Sequence, residues 1–177
     1  AFFDRALVHW LASEDYWHPD ILHLNDWHLG MVPQFLNNQG PPASSTFKVE
    51  SAKTLKVSPA DALQRKPATL LTIHNISFQG IDDLSLFAET GLSIDKSRLL
   101  TWDAEDKNID FLLQGIAGAD VINTVSPTYA KEIMTPEFGE GLNEVIRSRE
   151  ARVQGVLNGI DVNSFDPEQD EVIYRKY

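Results

Sequence analysis

Four short apolar runs, each passing directly into polar residues, constrain the fold of this chain more than any other feature. The runs cover residues 20–24, 69–73, 121–125 and 153–157. Short buried strands that alternate with helical stretches are typical of a parallel α/β sheet with right-handed crossovers. The carboxyl ends of parallel strands meet at one edge of the sheet, and ligands bind outside that edge. We therefore predict an α/β fold with a partial Rossmann-like parallel sheet, flanking helices and a polar ligand site at that edge.

The segments between the strands carry helical patterns, apart from two irregular stretches. We predict helices over residues 1–12, 27–39, 105–118 and 142–149, and a further helix that is capped by Ser126 and begins at Pro127. The stretch 75–102 shows no regular period. Residues 41–67 are rich in Pro, Ser and Lys, and their five basic and two acidic residues give a local charge of +3. We expect 41–67 to be a solvated insertion with one short helix that starts at Ser58, and a patch for an anionic partner is the alternative.

The composition excludes several classes of protein and of site. The 177 residues include no cysteine, which rules out disulfides, thiolate metal ligands and a Cys nucleophile. The net charge of −11 disfavours a nucleic acid partner. No apolar run approaches the roughly 20 residues of a membrane-spanning helix, and the first residues have no signal-peptide pattern. Because the sequence begins without Met and within a helical pattern, we expect a fragment that lacks its N-terminus.

Two of the predicted strand ends carry candidate ligand-binding groups. His74 and Asn75 follow the second run, where an imidazole and an amide can bind the hydroxyls of a polar ligand. Asp26 follows the first run and is succeeded by Trp27 and His28. A carboxylate beside an aromatic ring suits a sugar, because the ring packs on C–H faces while the carboxylate accepts from hydroxyls. The alternatives are a histidine bonded only to nearby backbone, a helix cap at Asp26 and a core position for Trp27.

The fourth strand end and the remaining histidines give weaker evidence of a ligand or metal site. Asn158 and Gly159 form either a tight turn or a turn whose amide faces the same site as the His-Asn pair. His23, Asp26 and His28 invite a metal interpretation. They lack the spacing of metal ligands on one helix face, and no cysteine is available, so we expect no metal.

Phosphate binding has little support in the sequence. Residues 138–142 carry a Gly-x-Gly before a predicted helix, but Glu140 would repel a phosphate. We interpret this segment as a turn and a helix entrance. None of the four strand ends carries Lys or Arg, so a diphosphate ligand would need positive charge from elsewhere in a longer protein.

Five motif blocks occur in order along the chain, and they include an Asp-Trp-His block and a His-Asn-x-x-aromatic-Gln-Gly loop. They cover residues 19–28, 72–80, 124–133, 135–142 and 156–167. Together they resemble the bacterial glycogen synthase and plant starch synthase family, which belongs to glycosyltransferase family 5. The resemblance implies the N-terminal domain of a two-domain GT-B enzyme that transfers glucose from ADP-glucose, with retention, to the non-reducing end of an α-1,4-glucan. It implies no cofactor and no metal.

The resemblance also implies roles for individual residues. His74 would lie beside the transferred glucose, where its backbone and ring stabilise the developing charge. Asp26 would be the second catalytic residue and would organise the acceptor side. The residues implied to bind substrate are Asn75, Gln79, Asn158, Trp27 and His28. The implied partners are ADP-glucose and an α-1,4-glucan, in the bacterial cytoplasm or in a plastid if the protein is from a plant.

The chain departs from the family pattern in three ways. The N-terminal Lys-x-Gly-Gly loop and the whole C-terminal domain are missing, and Gln114 stands where the family usually has Lys. We therefore expect residues 1–177 to be a partial catalytic domain that has no transferase activity by itself. Two alternatives stay open, a GT-B transferase with another nucleotide-sugar donor and a non-catalytic glucan-binding remnant. A dinucleotide oxidoreductase is disfavoured because no Gly-x-Gly-x-x-Gly follows a strand.

Overall fold

A four-stranded parallel sheet forms the centre of the molecule. The computed structural model describes residues 2–13, 19–37, 66–85 and 103–177. Within these ranges the strands are β1 (Ile21–Asn25), β2 (Ala68–Ile73), β3 (Ile81–Asp83), β4 (Asn108–Asp110), β5 (Val121–Thr124) and β6 (Val153–Gly155). The α-helices are α1 (Phe2–Ser13), α2 (Val32–Asn37), α3 (Phe111–Gly118), α4 (Pro127–Glu132) and α5 (Asn143–Ser148). The sheet has the order β1-β2-β5-β6, and β3 and β4 form a separate antiparallel pair.

All four predicted strands are present and parallel, which confirms the α/β prediction. Strand β6 ends at Gly155, earlier than the predicted residue 157. The Val156 N–H still donates to the Thr124 carbonyl at 2.8 Å, so the chain follows β5 for one residue more. Residues 156–177 contain no helix or strand.

The core lies on one face of the sheet, where alternate strand residues meet the helices. Leu71 and Ile73 of β2 are fully buried, and so is Ile122 of β5. Period-2 burial of this kind places every second side chain on the same face. The helices contribute further fully buried side chains, namely Val32, Leu112, Ile116 and Ile146.

Two predicted helices are wrong in their first halves. Residues 27–39 were expected to be one helix, but Trp27–Leu29 is a 3₁₀ turn and the α-helix covers Val32–Asn37. Residues 105–118 were also expected to be one helix, but the α-helix begins only at Phe111. The Asp110 side chain accepts from the Leu113 N–H at 2.9 Å and so caps the helix at that point. The preceding residues instead pair with β3 as strand β4.

The other helix predictions agree with the structure. Helix α1 covers nearly all of the predicted 1–12, and α5 lies within the predicted 142–149. Helix α4 has Pro127 at its start, and the Ser126 hydroxyl accepts from the Tyr129 N–H at 2.9 Å, as the cap prediction requires. The predicted insertion at 41–67, apart from its last two residues, lies outside the described residues, as does the part of 75–102 that falls between 86 and 102.

A close backbone approach fixes the segment that follows β1. A Cβ at Gly30 would lie 1.9 Å from the Phe111 carbonyl oxygen, so only glycine fits between the 3₁₀ turn and helix α3. The turn that carries Trp27 therefore lies directly on the N-terminal end of α3. This contact sets the position of the chain just after Asp26.

Candidate active site at the carboxyl edge of the sheet

Asp26 and His74 lie in direct contact where β1 and β2 end. Asn25, the last residue of β1, is the register partner of Thr72 in β2, and β2 ends one residue later at Ile73, so Asp26 and His74 follow the ends of two adjacent strands. One oxygen of the Asp26 carboxylate accepts from the His74 main-chain N–H at 2.8 Å, and the other is 3.0 Å from the His74 Nδ1. The structure thus brings together the two side chains that the sequence predicted to share this edge.

The contact with Asp26 decides which nitrogen of His74 faces outward. A carboxylate only accepts hydrogen bonds, so the hydrogen on the His74 Nδ1 faces Asp26 and the Nε2 is left for a ligand. The His74 side chain is 44% exposed and that of Asp26 is 24% exposed. The partly buried Asp26 carboxylate therefore orients the His74 ring, while the Nε2 of that ring is available to a ligand.

Asp26 adopts an unusual backbone conformation to make this contact. Its φ is 53° and its ψ is −164°, and its N–H donates to the Thr72 carbonyl at 2.9 Å. Its side chain makes no capping bond to the 3₁₀ turn that follows. The helix-cap interpretation of Asp26 is therefore wrong, because both carboxylate oxygens are bonded to His74.

The loop after His74 is held by one bond within the loop and by bonds to two other parts of the chain. The Asn75 side-chain oxygen accepts from the Ser77 N–H at 3.0 Å, which closes a local turn. The Ile76 N–H donates to the Tyr129 hydroxyl at 3.0 Å. The Gln79 carbonyl accepts from the Leu112 N–H of α3 at 2.9 Å. The loop is thus tied to α3 and α4, and sequence reasoning did not identify Tyr129 as its support.

Gln79 is also bound through its side chain. Its amide nitrogen donates to the Glu140 carbonyl at 2.8 Å, so this nitrogen is committed to the protein. Among the described residues, no donor is bonded to its amide oxygen. That oxygen is the part of Gln79 that can accept a bond from a ligand hydroxyl.

Trp27 lies between the loop and the core. Its ring stacks on His28 with centroids 4.1 Å apart and is tilted against Phe111 with centroids 6.4 Å apart. A Cβ at Gly80, whose φ is +70°, would lie 2.3 Å from this ring, so the glycine packs directly on it. The core alternative for Trp27 therefore agrees with its packing, although part of the ring faces an open depression with Gln79 and Phe78.

Asn158 lies three residues beyond β6 and is exposed. No hydrogen bond among the described residues joins it to His74 or Asp26, so its role stays a prediction. In the described part of the chain no group of three or more His, Cys, Asp or Glu side chains is arranged to hold a metal ion. None of the described helices has the length and apolar character to cross a membrane.

Comparison with known protein families shows which family the chain belongs to. The model of the starch synthase catalytic domain matches residues 1–148. The chain belongs to this family. A glycogen synthase from Roseobacter denitrificans is 40% identical over 163 residues, which cover 91% of this chain and 29% of the relative. A glycogen synthase from Thermosipho africanus is 42% identical over 160 residues, which cover 89% of this chain and 29% of the relative.

A solved starch synthase structure has the same fold. The catalytic domain of starch synthase IV from Arabidopsis thaliana, bound to ADP and acarbose, matches with a TM-score of 0.73 and 25% identity. The match covers 99% of this chain and 32% of that chain. This chain therefore spans about 30% of the length of the starch and glycogen synthases that it matches.

Gln114, which the sequence predicted to replace a family Lys, is fully buried. The Gln114 amide nitrogen donates to an Asp103 carboxylate oxygen at 2.5 Å, and its oxygen accepts from the Gln34 amide at 3.0 Å. The same Asp103 carboxylate accepts from the Asp110 N–H at 3.2 Å. Gln114 therefore makes a buried polar contact and is no part of a charged helix surface. Burial raises the pKa of Asp110 to about 6, and it raises the pKa of Asp103 as well.

Proposed function

We propose that the protein acts as a glycogen synthase, a retaining transferase that moves glucose from ADP-glucose to the non-reducing end of an α-1,4-glucan. The observation that carries the proposal is the Asp26–His74 pair at the carboxyl edge of a parallel sheet. The family match supports the reaction class, and the ADP and acarbose in the starch synthase IV structure support the donor and a glucan-like acceptor. Bacterial relatives support a cytoplasmic location.

His74 is the group proposed to act on the transferred glucose. Positive charge develops at the anomeric carbon as the bond to the leaving diphosphate breaks, and fixed dipoles that face this charge lower the barrier. The His74 main-chain N–H donates to Asp26, so its contribution must come from the ring Nε2 and the main-chain carbonyl. Asp26 acts through this contact by fixing ring and main chain together, and its negative charge favours the developing cation.

The substrate-binding residues have proposed roles that fit their contacts. The Gln79 amide oxygen and the Asn75 amide nitrogen are the parts of these side chains that are left for sugar hydroxyls, because the other halves bind the protein. Trp27 and His28 form a stacked pair next to Asp26, and Asn158 is proposed to reach the same sugar from the fourth strand end. The strand ends carry no Lys or Arg, so we assign the binding of the diphosphate to parts of the longer enzyme that this chain lacks.

The decisive experiment is a transfer assay on the full-length enzyme with ADP-glucose and glycogen. We expect glucose incorporation with retained configuration, and we expect His74→Ala to lower kcat by about 10²- to 10³-fold, the range seen when one preorganised group is removed. The free energy of unfolding should change far less, because the His74 ring is nearly half exposed.

Other results would redirect the proposal. Turnover with UDP-glucose and none with ADP-glucose would indicate a related transferase with another donor. Binding of maltooligosaccharides without any transfer would favour a glucan-binding protein. Equal losses of activity and stability in His74→Ala would assign His74 a structural role only.

A further inference from the structure

An open depression of about 470 Å³ lies beside the loop that His74 begins. It is lined by Trp27, Ser77, Phe78, Gln79, Gly80 and Ile81. We propose that this depression is a subsite for a neutral sugar ring of the glucan, and that Glu140 at its rim determines specificity for such a ring. This inference rests on the proposed function and extends it to residues outside the Asp26–His74 pair.

Two aromatic side chains give the depression the surface that a sugar ring requires. Phe78 is 65% exposed although it stands on an anchored loop, and Trp27 is held in place by the close packing of Gly80. Aromatic rings with one accessible face pack well on the C–H faces of pyranose rings. Ser77 and Gln79 add a hydroxyl and an amide among these rings, which is the mixture of apolar and polar groups found in small-molecule sites.

Glu140 is connected to this depression by two contacts. Its carbonyl accepts from the Gln79 amide at 2.8 Å, and its carboxylate accepts from the Ser77 hydroxyl at 3.5 Å. Both donors line the depression, so the Glu140 carboxylate lies at its rim. Glu140 has a φ of 47°, in the left-handed region that favours glycine. The carbonyl contact needs no side chain, so a carboxylate at this strained position points to a function of the side chain.

Charge decides which part of the substrate fits here. A carboxylate accepts hydrogen bonds from sugar hydroxyls but repels a diphosphate. Glu140 is exposed, and the adjacent strand ends supply no cation to offset it. The depression therefore suits the uncharged glucan acceptor and does not suit the nucleotide of the donor.

The side chain of Glu140 can be tested without disturbing its backbone. In the full-length enzyme, Glu140→Gly keeps the carbonyl that binds Gln79 and accommodates the left-handed φ, so the variant should fold. We expect its KM for maltoheptaose to rise about tenfold, the loss typical of hydrogen bonds to a charged group. Glu140→Gln should show a rise of about threefold. The KM for ADP-glucose should stay within about twofold in both variants, and the matched control Glu137→Gln changes an exposed carboxylate on the same segment.

The role of Phe78, one of the two aromatic side chains that line the depression, is tested by a matched pair of variants. Phe78→Ala should raise the KM for maltoheptaose and reduce the advantage of maltoheptaose over maltotriose, because a subsite rewards longer acceptors. Phe138→Ala removes an aromatic ring that is also exposed, at 48%, but that does not line the depression, and it should behave like the wild type. The inference is overturned if Glu140→Gly and Phe78→Ala leave the acceptor KM unchanged, or if the donor KM or the control variants shift equally. Absence of transfer by the wild-type enzyme would instead refute the proposed function.

Discussion

At the scale of single residues, the Asp26–His74 contact shows what strand-end patterns can and cannot predict. The two residues are 48 positions apart, and their meeting follows from two runs that become adjacent parallel strands. The pair of hydrogen bonds from the Asp26 carboxylate to the main-chain N–H and to the ring of His74 could not be predicted. It depends on the φ of 53° at Asp26, and a sequence does not reveal which Asp adopts the left-handed region.

Asp26→Asn tests whether the charge of this contact matters for turnover. Asn has nearly the same shape as Asp and keeps one side-chain oxygen that accepts a hydrogen bond, so the free energy of unfolding should change by less than about 1.5 kcal/mol, the net value of one hydrogen bond. We expect kcat of the full-length enzyme to fall about 10²-fold or more, because the amide no longer fixes the ring with a negative charge. Asp20→Asn, which alters an exposed carboxylate just before β1, is the matched control. A kcat within threefold of the wild type would leave Asp26 without a role in turnover.

At the scale of elements, helix α3 links the core to the candidate site. Its start is capped by Asp110, and its Leu112 N–H holds the Gln79 carbonyl. At its other end the Arg149 guanidinium donates to the carbonyls of Ala117 and Ala119. The apolar positions of 105–118 predicted a longer helix, but the local cap at Asp110 and the long-range pairing of β4 with β3 prevail over that pattern.

The buried cap makes the stability of the fold depend on pH. Burial raises the pKa of Asp110 from 3.8 to about 6, so between these values the folded state binds more protons than the unfolded state. The free energy of unfolding therefore falls as pH rises through this window. Ionised Asp110 costs about 3 kcal/mol above it, at about 1.4 kcal/mol for each pKa unit. The raised pKa of Asp103 acts in the same direction.

Asp110→Asn should remove most of this cost. The Asn side-chain oxygen can still accept from the Leu113 N–H, so the cap is kept while the buried charge is lost. We expect chemical unfolding at pH 7.5 to show a gain of about 1–3 kcal/mol, and a flatter pH dependence between pH 4 and 6.5. The matched control is Asp82→Asn, an exposed residue on β3 whose register partner is Ile109. A variant as pH-dependent as the wild type would show that Asp110 does not titrate in this range.

At the scale of the whole molecule, the sheet could be predicted and the contacts across its edge could not. Apolar runs of strand length followed by polar residues are local signals, and they gave four parallel strands correctly. The support of Ile76 by Tyr129 and of Gln79 by Glu140 joins residues 53 and 61 positions apart. Such side-chain contacts depend on the packing of α4 and of the segment before α5, which no local pattern encodes.

The charge distribution leads to a prediction for the whole chain. The chain spans about 30% of the length of its relatives, and its strand ends offer no cation for a diphosphate. We expect the 177-residue chain alone to show no transfer from ADP-glucose to glycogen, while the full-length enzyme shows it under the same conditions. Circular dichroism of the isolated chain is the control that separates inactivity from misfolding. Measurable turnover by a folded isolated chain would refute this prediction.

The hydrogen bond from the main-chain N–H of His74 to Asp26 does not involve the imidazole, so it can hold the backbone at residue 74 without that ring. We expect the strand end to keep its position when the ring is replaced, because one carboxylate oxygen can stay bonded to the main-chain N–H. Position 74 is therefore a natural entry point for redesign. Laboratory selection can sample other side chains there without having to rebuild the surrounding loop.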